Sequence, residues 1–297
     1  MSHKWVPICC ALFVMLIYTS IVLAGGPKVS AMGNKHNLSA QNISVTHHAV
    51  DDPINNPGGQ QICIFCHTPH SSSSQGPLWN RKDTTQVFAR YTSNTLQIRS
   101  LAVAGYDSAW QPNGSSRLCL SCHDGVTPLG GVINSGQNGD IQMLGGNSIS
   151  QADVASFHPS TNKMKNGHHP VSFVYATAFD YKTQGGTIIG LNPIYGQFRL
   201  PNAASMEGKV KLQDSKRDRR GWMQCTTCHD AHQNMGNDVA TYPSTTRKIT
   251  PFWVYSAATA VTSHDAVCTS CHRDLIGDPN LVAPYNVGGG NAPWPTP

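Results

Sequence analysis

Four stretches of this 297-residue chain share one spacing: Cys63-Ile-Phe-Cys66-His67, Cys119-Leu-Ser-Cys122-His123, Cys225-Thr-Thr-Cys228-His229 and Cys268-Thr-Ser-Cys271-His272. Thiols three positions apart on one helical turn leave from the same face, and the histidine that comes next sets an imidazole beside them. The chemistry this set fits is covalent attachment of a porphyrin. The two thiols form thioethers to its two vinyl groups, and the imidazole binds its iron from the proximal side. A single match is shared with zinc and thiol-redox sites. Four matches, using every cysteine except Cys9 and Cys10, predict four covalently attached haem c groups.

Each such iron needs a sixth ligand. Outside the motifs and the first 24 residues the chain carries His36, His47, His48, His70, His158, His168, His169, His232 and His264. Neutral imidazole binds iron strongly, so this supply could saturate all four sites. Met32, Met143, Met164, Met206, Met223 and Met235 are also present; methionine ligation would raise the potential, and histidine is the expected choice. His70 comes three positions after His67 and His232 three after His229, in CIFCHTPH and CTTCHDAH. On a helical turn that spacing keeps the second imidazole on nearly the same face, one step along. It cannot round the ring to reach its own motif's iron, but it can reach the iron of a neighbouring haem.

The elements that must hold these groups are expected to be slight. Charged residues make up 12% of the chain, with 27 Gly and 19 Pro, which argues for many turns and little regular structure. Flat apolar macrocycles fill an interior as large aromatic side chains do, and thioether links restrict the unfolded chain as disulfides do. The expected fold is a multihaem cytochrome c: mostly coil with short α-helices wrapped around four covalent haems, and little or no sheet. The organisation read from the chain is a signal peptide at 1–24, an N-terminal arm at 25–60 and a first haem pair at 61–157. A connecting segment with distal-ligand histidines at 158–221 leads to a second haem pair at 222–275 and a Pro/Gly-rich tail at 276–297.

Lys4 precedes the apolar run VPICCALFVMLIYTSIVLA, which ends in Val22-Leu23-Ala24 ahead of Gly25-Gly26. That is the layout of a secretory leader, and it places the protein outside the cytoplasm, where c-type haem is attached. The formal charge of +5 becomes +4 once Lys4 leaves with the leader. Eight haem propionates bring the oxidised protein close to neutral, which argues against nucleic acid as a partner. No acid–base pair, activated nucleophile or phosphate loop suggests an enzyme.

Beyond the motifs, an ordered set of stretches carries a resemblance: HNLS at His36, CIFCHTPH, GPLWNR at Gly76–Arg81, SRLCLSCHDG at Ser116–Gly125, HPVSF at His169 and MQCTTCHDAH at Met223–His232. Together they resemble the tetrahaem extracellular cytochrome nanowires, the OmcE-type outer-surface multihaem c-type cytochromes of metal-reducing bacteria. The likeness runs from about His36 to His272. It implies a bis-His tetrahaem subunit that polymerises end to end, with electrons passing along a continuous stack to redox partner cytochromes or extracellular acceptors. It also implies that a histidine of one subunit can complete the coordination of its neighbour. Carried over by motif, the distal ligands are His36, His70, His169 and His232, and His36, in a polar extended arm, is the candidate for crossing the subunit boundary. His47, His48, His158, His168 and His264 are rivals for these roles.

The expected function is therefore outer-sphere electron transfer by an exported, extracellular filament, not catalysis. Two alternatives share the motifs: a monomeric periplasmic tetrahaem shuttle, and a multihaem nitrite or hydroxylamine reductase. The second needs an open distal side, whereas all four motifs end in His and spare ligands abound.

Overall fold

The structure is a computed structural model. It describes residues 28–149 apart from single positions and short gaps between 75 and 103, residues 169–175, 181–191 without 185 and 186, 210–233 without 216 and 217, and near the C-terminus 252, 254, 267, 268 and 270–272. The leader at 1–24, the tail at 276–297 and the rivals His158, His168 and His264 lie outside these residues.

Regular elements among the described residues are short. Helix α1 spans Gly114–Leu120 and helix α2 spans Cys225–Cys228, with 3-10 turns at Pro57–Gln60 and Cys63–Phe65. Sheet is limited to three small antiparallel pieces. Strands β1 (His48–Ala49) and β2 (Met143–Leu144) pair with His48 opposite Leu144. Strands β4 (Tyr181–Gln184) and β5 (Thr187–Leu191) form a hairpin. Strand β3 (Phe173–Val174) pairs with β7 (Asp218–Met223), which also pairs with β6 (Gln213–Ser215). Phe173 opposes Met223 and Val174 opposes Trp222, aromatic and β-branched residues that suit a half-buried pleat. This sheet matters for function because His169 lies just ahead of β3 and the third motif begins just after β7.

The expected extended arm is instead folded. Residues 28–60 run through successive turns around buried Asn34, Asn37 and Asn42. Asn42 Nδ2 donates to the carbonyls of Asn34 (2.9 Å) and Asn37 (2.7 Å), while its Oδ1 accepts from the Gly33 amide (2.7 Å). Asparagine side chains mimic backbone partners in this way, so a polar stretch closes its turns through side-chain amides.

Two apolar clusters complete the interior. Ala40, Ala49, Ile64, Phe65, Val132 and Ile141 pack beneath the first motif. The larger cluster joins Tyr106, Trp110, Leu120, Phe173, Tyr175, Met223 and Cys271, so the last three motifs share one core. No helix among the described residues is long and apolar enough to cross a membrane.

Candidate functional site

The four Cys-x-x-Cys-His stretches adopt the same turn. In each, the histidine amide donates to the carbonyl of the first cysteine: His67 to Cys63 (2.8 Å), His123 to Cys119 (3.0 Å), His229 to Cys225 (3.0 Å) and His272 to Cys268 (2.9 Å). One helical turn thus brings both thiols and the imidazole to one side, as attachment requires. No disulfide joins any of the eight cysteines. Among the described residues no three or more His, Cys, Asp or Glu side chains converge as a metal-holding group.

Helical geometry ends at the motif. Cys66 (φ −122°) and His229 (φ −119°, ψ 138°) have left the helix, and His67 forms a β-bridge with Trp79. The expectation that His70 and His232 share a helical face with His67 and His229 is therefore corrected, since the chain leaves the helix at the motif and continues through a bend at Pro69–His70 and a turn at Ala231–His232. His70 and His232 then diverge in their surroundings.

The motifs lie in chain order against one another. Cys66 acts electrostatically on Cys119 and Cys122 on Cys66, Cys119 is hydrogen-bonded to Cys225, and Cys268 and Cys271 act on Cys228. The second and third motifs are braced through α1 and α2. Buried Gln224 accepts from the Ser116 amide (3.3 Å) and the Ser172 hydroxyl (3.2 Å) and donates to Asn113 Oδ1 (2.7 Å). Ser116 Oγ accepts from the Cys225 amide (2.9 Å), and the Ser115 and Thr226 hydroxyls share a bond of 2.6 Å. Gly114 enters α1 at φ 51°, where a Cβ would lie 2.7 Å from Gln213 Oε1, so the close approach needs glycine twice over.

Three motif histidines each face a second histidine. The rings of His67 and His232 have centroids 6.1 Å apart, those of His36 and His123 6.1 Å, and those of His169 and His272 6.2 Å. A metal–imidazole bond is about 2.0 Å and the ring centroid lies roughly 1.1 Å behind its nitrogen, so two imidazoles on opposite sides of one metal would have centroids about 6.2 Å apart. The ring planes meet at 12°, 70° and 71°, and both parallel and near-perpendicular planes are compatible with a linear axial pair. The donor set fits bis-imidazole iron.

The other ring nitrogens are committed. His36 Nδ1 lies 3.0 Å from the Ala231 carbonyl and His169 Nδ1 2.7 Å from the Pro170 carbonyl, while the His67 ring bonds the Leu78 carbonyl. A carbonyl on one nitrogen fixes the tautomer and leaves the other nitrogen as the donor to a metal. Burial pushes the pKa values of His36, His67 and His169 below the usual histidine range, and burial together with His169 takes His272 down to about 4. All four rings are then neutral near pH 7, the ligating form.

Burial likewise raises Cys66 to about 12 and lifts Cys122 and Cys228, while the bond to Cys225, with burial, raises Cys119. Cys66, Cys119, Cys122 and Cys228 are nonetheless only partly buried, and His169 is exposed. Beside the first motif a cavity of about 730 Å³ is lined by Cys63, Ile64, His67, His70, Leu78 and Ile133. That size is typical of cofactor sites.

His36 therefore lies beside the second motif of its own chain, stacked on Phe252 at 4.3 Å. His70 is exposed, with Nδ1 3.4 Å from the Ser71 hydroxyl and no ring contact to a motif histidine among the described residues. His48 bonds the Val45 carbonyl (3.0 Å), and His47 buries an Nδ1 without a partner; neither faces a motif histidine. Trp79, edge-on to His67 at 5.6 Å, belongs to the wall of the first site, whereas Trp110 serves the core.

No protein-family profile and no curated protein matches this chain.

Proposed function

We propose that this chain is an exported tetrahaem c-type cytochrome that conducts electrons by outer-sphere transfer and assembles end to end into an extracellular filament. What carries the reading is the pairing of three motif histidines with three candidate distal histidines at 6.1–6.2 Å. Haem bonded at the four motifs supplies a one-electron ferric/ferrous couple at each position. With haem bound, His67 with His232, His36 with His123 and His169 with His272 would each hold one iron from both sides, leaving no coordination site for substrate at those three and limiting structural change between oxidation states. The cysteines fix the spacing from motif to motif, and their chain-order contacts support a continuous row. Neutral, carbonyl-anchored imidazoles favour six-coordination and disfavour a reductase.

Polymerisation rests on the resemblance of the six ordered stretches to the extracellular cytochrome nanowires. In that reading exposed His70, beside the cavity at the first motif, replaces His36 as the candidate for ligation between subunits. The deciding experiment has two parts. The intact mass of the secreted protein should exceed its polypeptide by four haems, and negative-stain microscopy of the same fraction should show filaments. A mass equal to the polypeptide ends the cytochrome reading. Four haems without filaments leaves the monomeric shuttle, and a high-spin signal with rapid cyanide binding in the resting protein indicates the reductase.

A further inference from the structure

The Arg81 side chain is fully buried. Its guanidinium donates to three carbonyls: Leu129, Pro128 (2.7 Å) and Ser121 (3.2 Å). Nε is buried without a partner. No carboxylate pairs with this cation among the described residues. Asp124, equally buried, is taken up by the Thr84 and Thr127 hydroxyls and the amides of Val126 and Thr127. Asp83 and Asp140 pair outside with Arg117 and Lys82. An interior charge with no counter-charge is costly, and carbonyl dipoles offset that only in part.

The location is specific. Asn80, the preceding residue, ties to the first motif, its amide donating to the Cys66 carbonyl (2.9 Å) and its Nδ2 to the Ile64 carbonyl (2.7 Å). Arg81 ties to the second, since Ser121 lies between Cys119 and Cys122. The dipeptide therefore straps two attachment turns together and leaves one permanent positive charge between them. Arginine stays protonated at any accessible pH, so the charge does not depend on conditions.

We propose that Arg81 is a fixed internal cation that raises the reduction potentials of the haems bonded at the first two motifs, setting them above what their ligands alone would give. The inference rests on the cytochrome reading and concerns energetics within it. A cation stabilises the ferrous over the ferric state because the ferric state carries one more positive charge. At an effective dielectric of about 20, a unit charge on the order of 10 Å away changes such an equilibrium by roughly tenfold.

The test is a spectroelectrochemical titration of the purified holoprotein, as wild type, Arg81→Gln and Arg81→Lys. Arg81→Gln should lower the ferrous-to-ferric ratio at fixed potential by roughly tenfold, about 59 mV for a one-electron couple, at two of the four haems. The other two should stay within a factor of two. Arg81→Lys keeps the charge and loses the fork, so its couples should stay near wild type even as its stability falls. If Arg81→Gln loses stability while all four couples hold, Arg81 is only a brace and the proposal is overturned. Should Arg81→Gln fail to mature, Arg81→Lys decides: a tenfold change there overturns the proposal, and unchanged couples support it. A wild-type mass lacking four haems overturns the parent reading and this one with it.

Discussion

The imidazole of His232 lies 6.1 Å from that of His67, centroid to centroid, with the two planes 12° from parallel. One histidine closes the first attachment motif and the other stands three residues beyond the third. The chain thus answers one motif with the flank of another, and the spacing that CTTCHDAH repeats serves a partner distant in sequence.

Removing that partner should expose one iron and spare three. His232→Ala is expected to convert a single haem from low to high spin, read by electron paramagnetic resonance and by new carbon monoxide binding. All four remaining low spin would contradict the pairing.

The three facing pairs all lie within one chain. Dissociating the assembled protein into subunits should therefore leave at least three haems low spin, with at most one turning high spin. Two or more high-spin signals per subunit would show that His36, His169 or His232 acts across the boundary instead.

His169 bonds its own neighbouring carbonyl and faces His272. His169→Met preserves a sixth ligand but exchanges imidazole for thioether, which raises the potential. One couple of the four should move positive in a redox titration, with the low-spin spectrum kept.

The junction of the second and third motifs depends on Gln224, which is 2% exposed. Gln224→Leu strands the buried Ser116 amide, at about 1–3 kcal/mol. The denaturation midpoint should fall accordingly while the haem count stays at four. An unchanged midpoint would mean that water replaces Gln224 freely.

The turns of the four Cys-x-x-Cys-His stretches were legible because all their determinants are local: two thiols, an imidazole and a spacing that one helical turn satisfies. The histidines proposed as distal ligands were legible as a supply, and His36, His169 and His232 lie 6.1–6.2 Å from motif histidines. Their assignment was not, because it depends on distant segments folding back, as when Ala231 offers its carbonyl to His36. His70 and His232 have the same sequence context and different surroundings, since the helix stops at the motif and nothing local directs the three residues beyond it. The few short strands could not be placed for a related reason. Strands of two residues such as Phe173–Val174 exist only through their partners, and no periodicity can accumulate over so short a run. Arg81 gave no sign beyond its place in GPLWNR, because burial of a charge is set by tertiary packing alone.

The stretch from Cys228 to Gln233 touches three sites at once. It ends the third motif, it carries the imidazole that faces His67, and it anchors the ring that faces His123, while its His232 carbonyl accepts from Val29 at 2.7 Å. A chain threaded outward from its amino end would therefore present its first two attachment turns long before their opposite ligands arrive. If haem is bonded at those turns as proposed, its attachment there would precede the arrival of the opposite histidines, and the early half would not settle until the late half had been delivered.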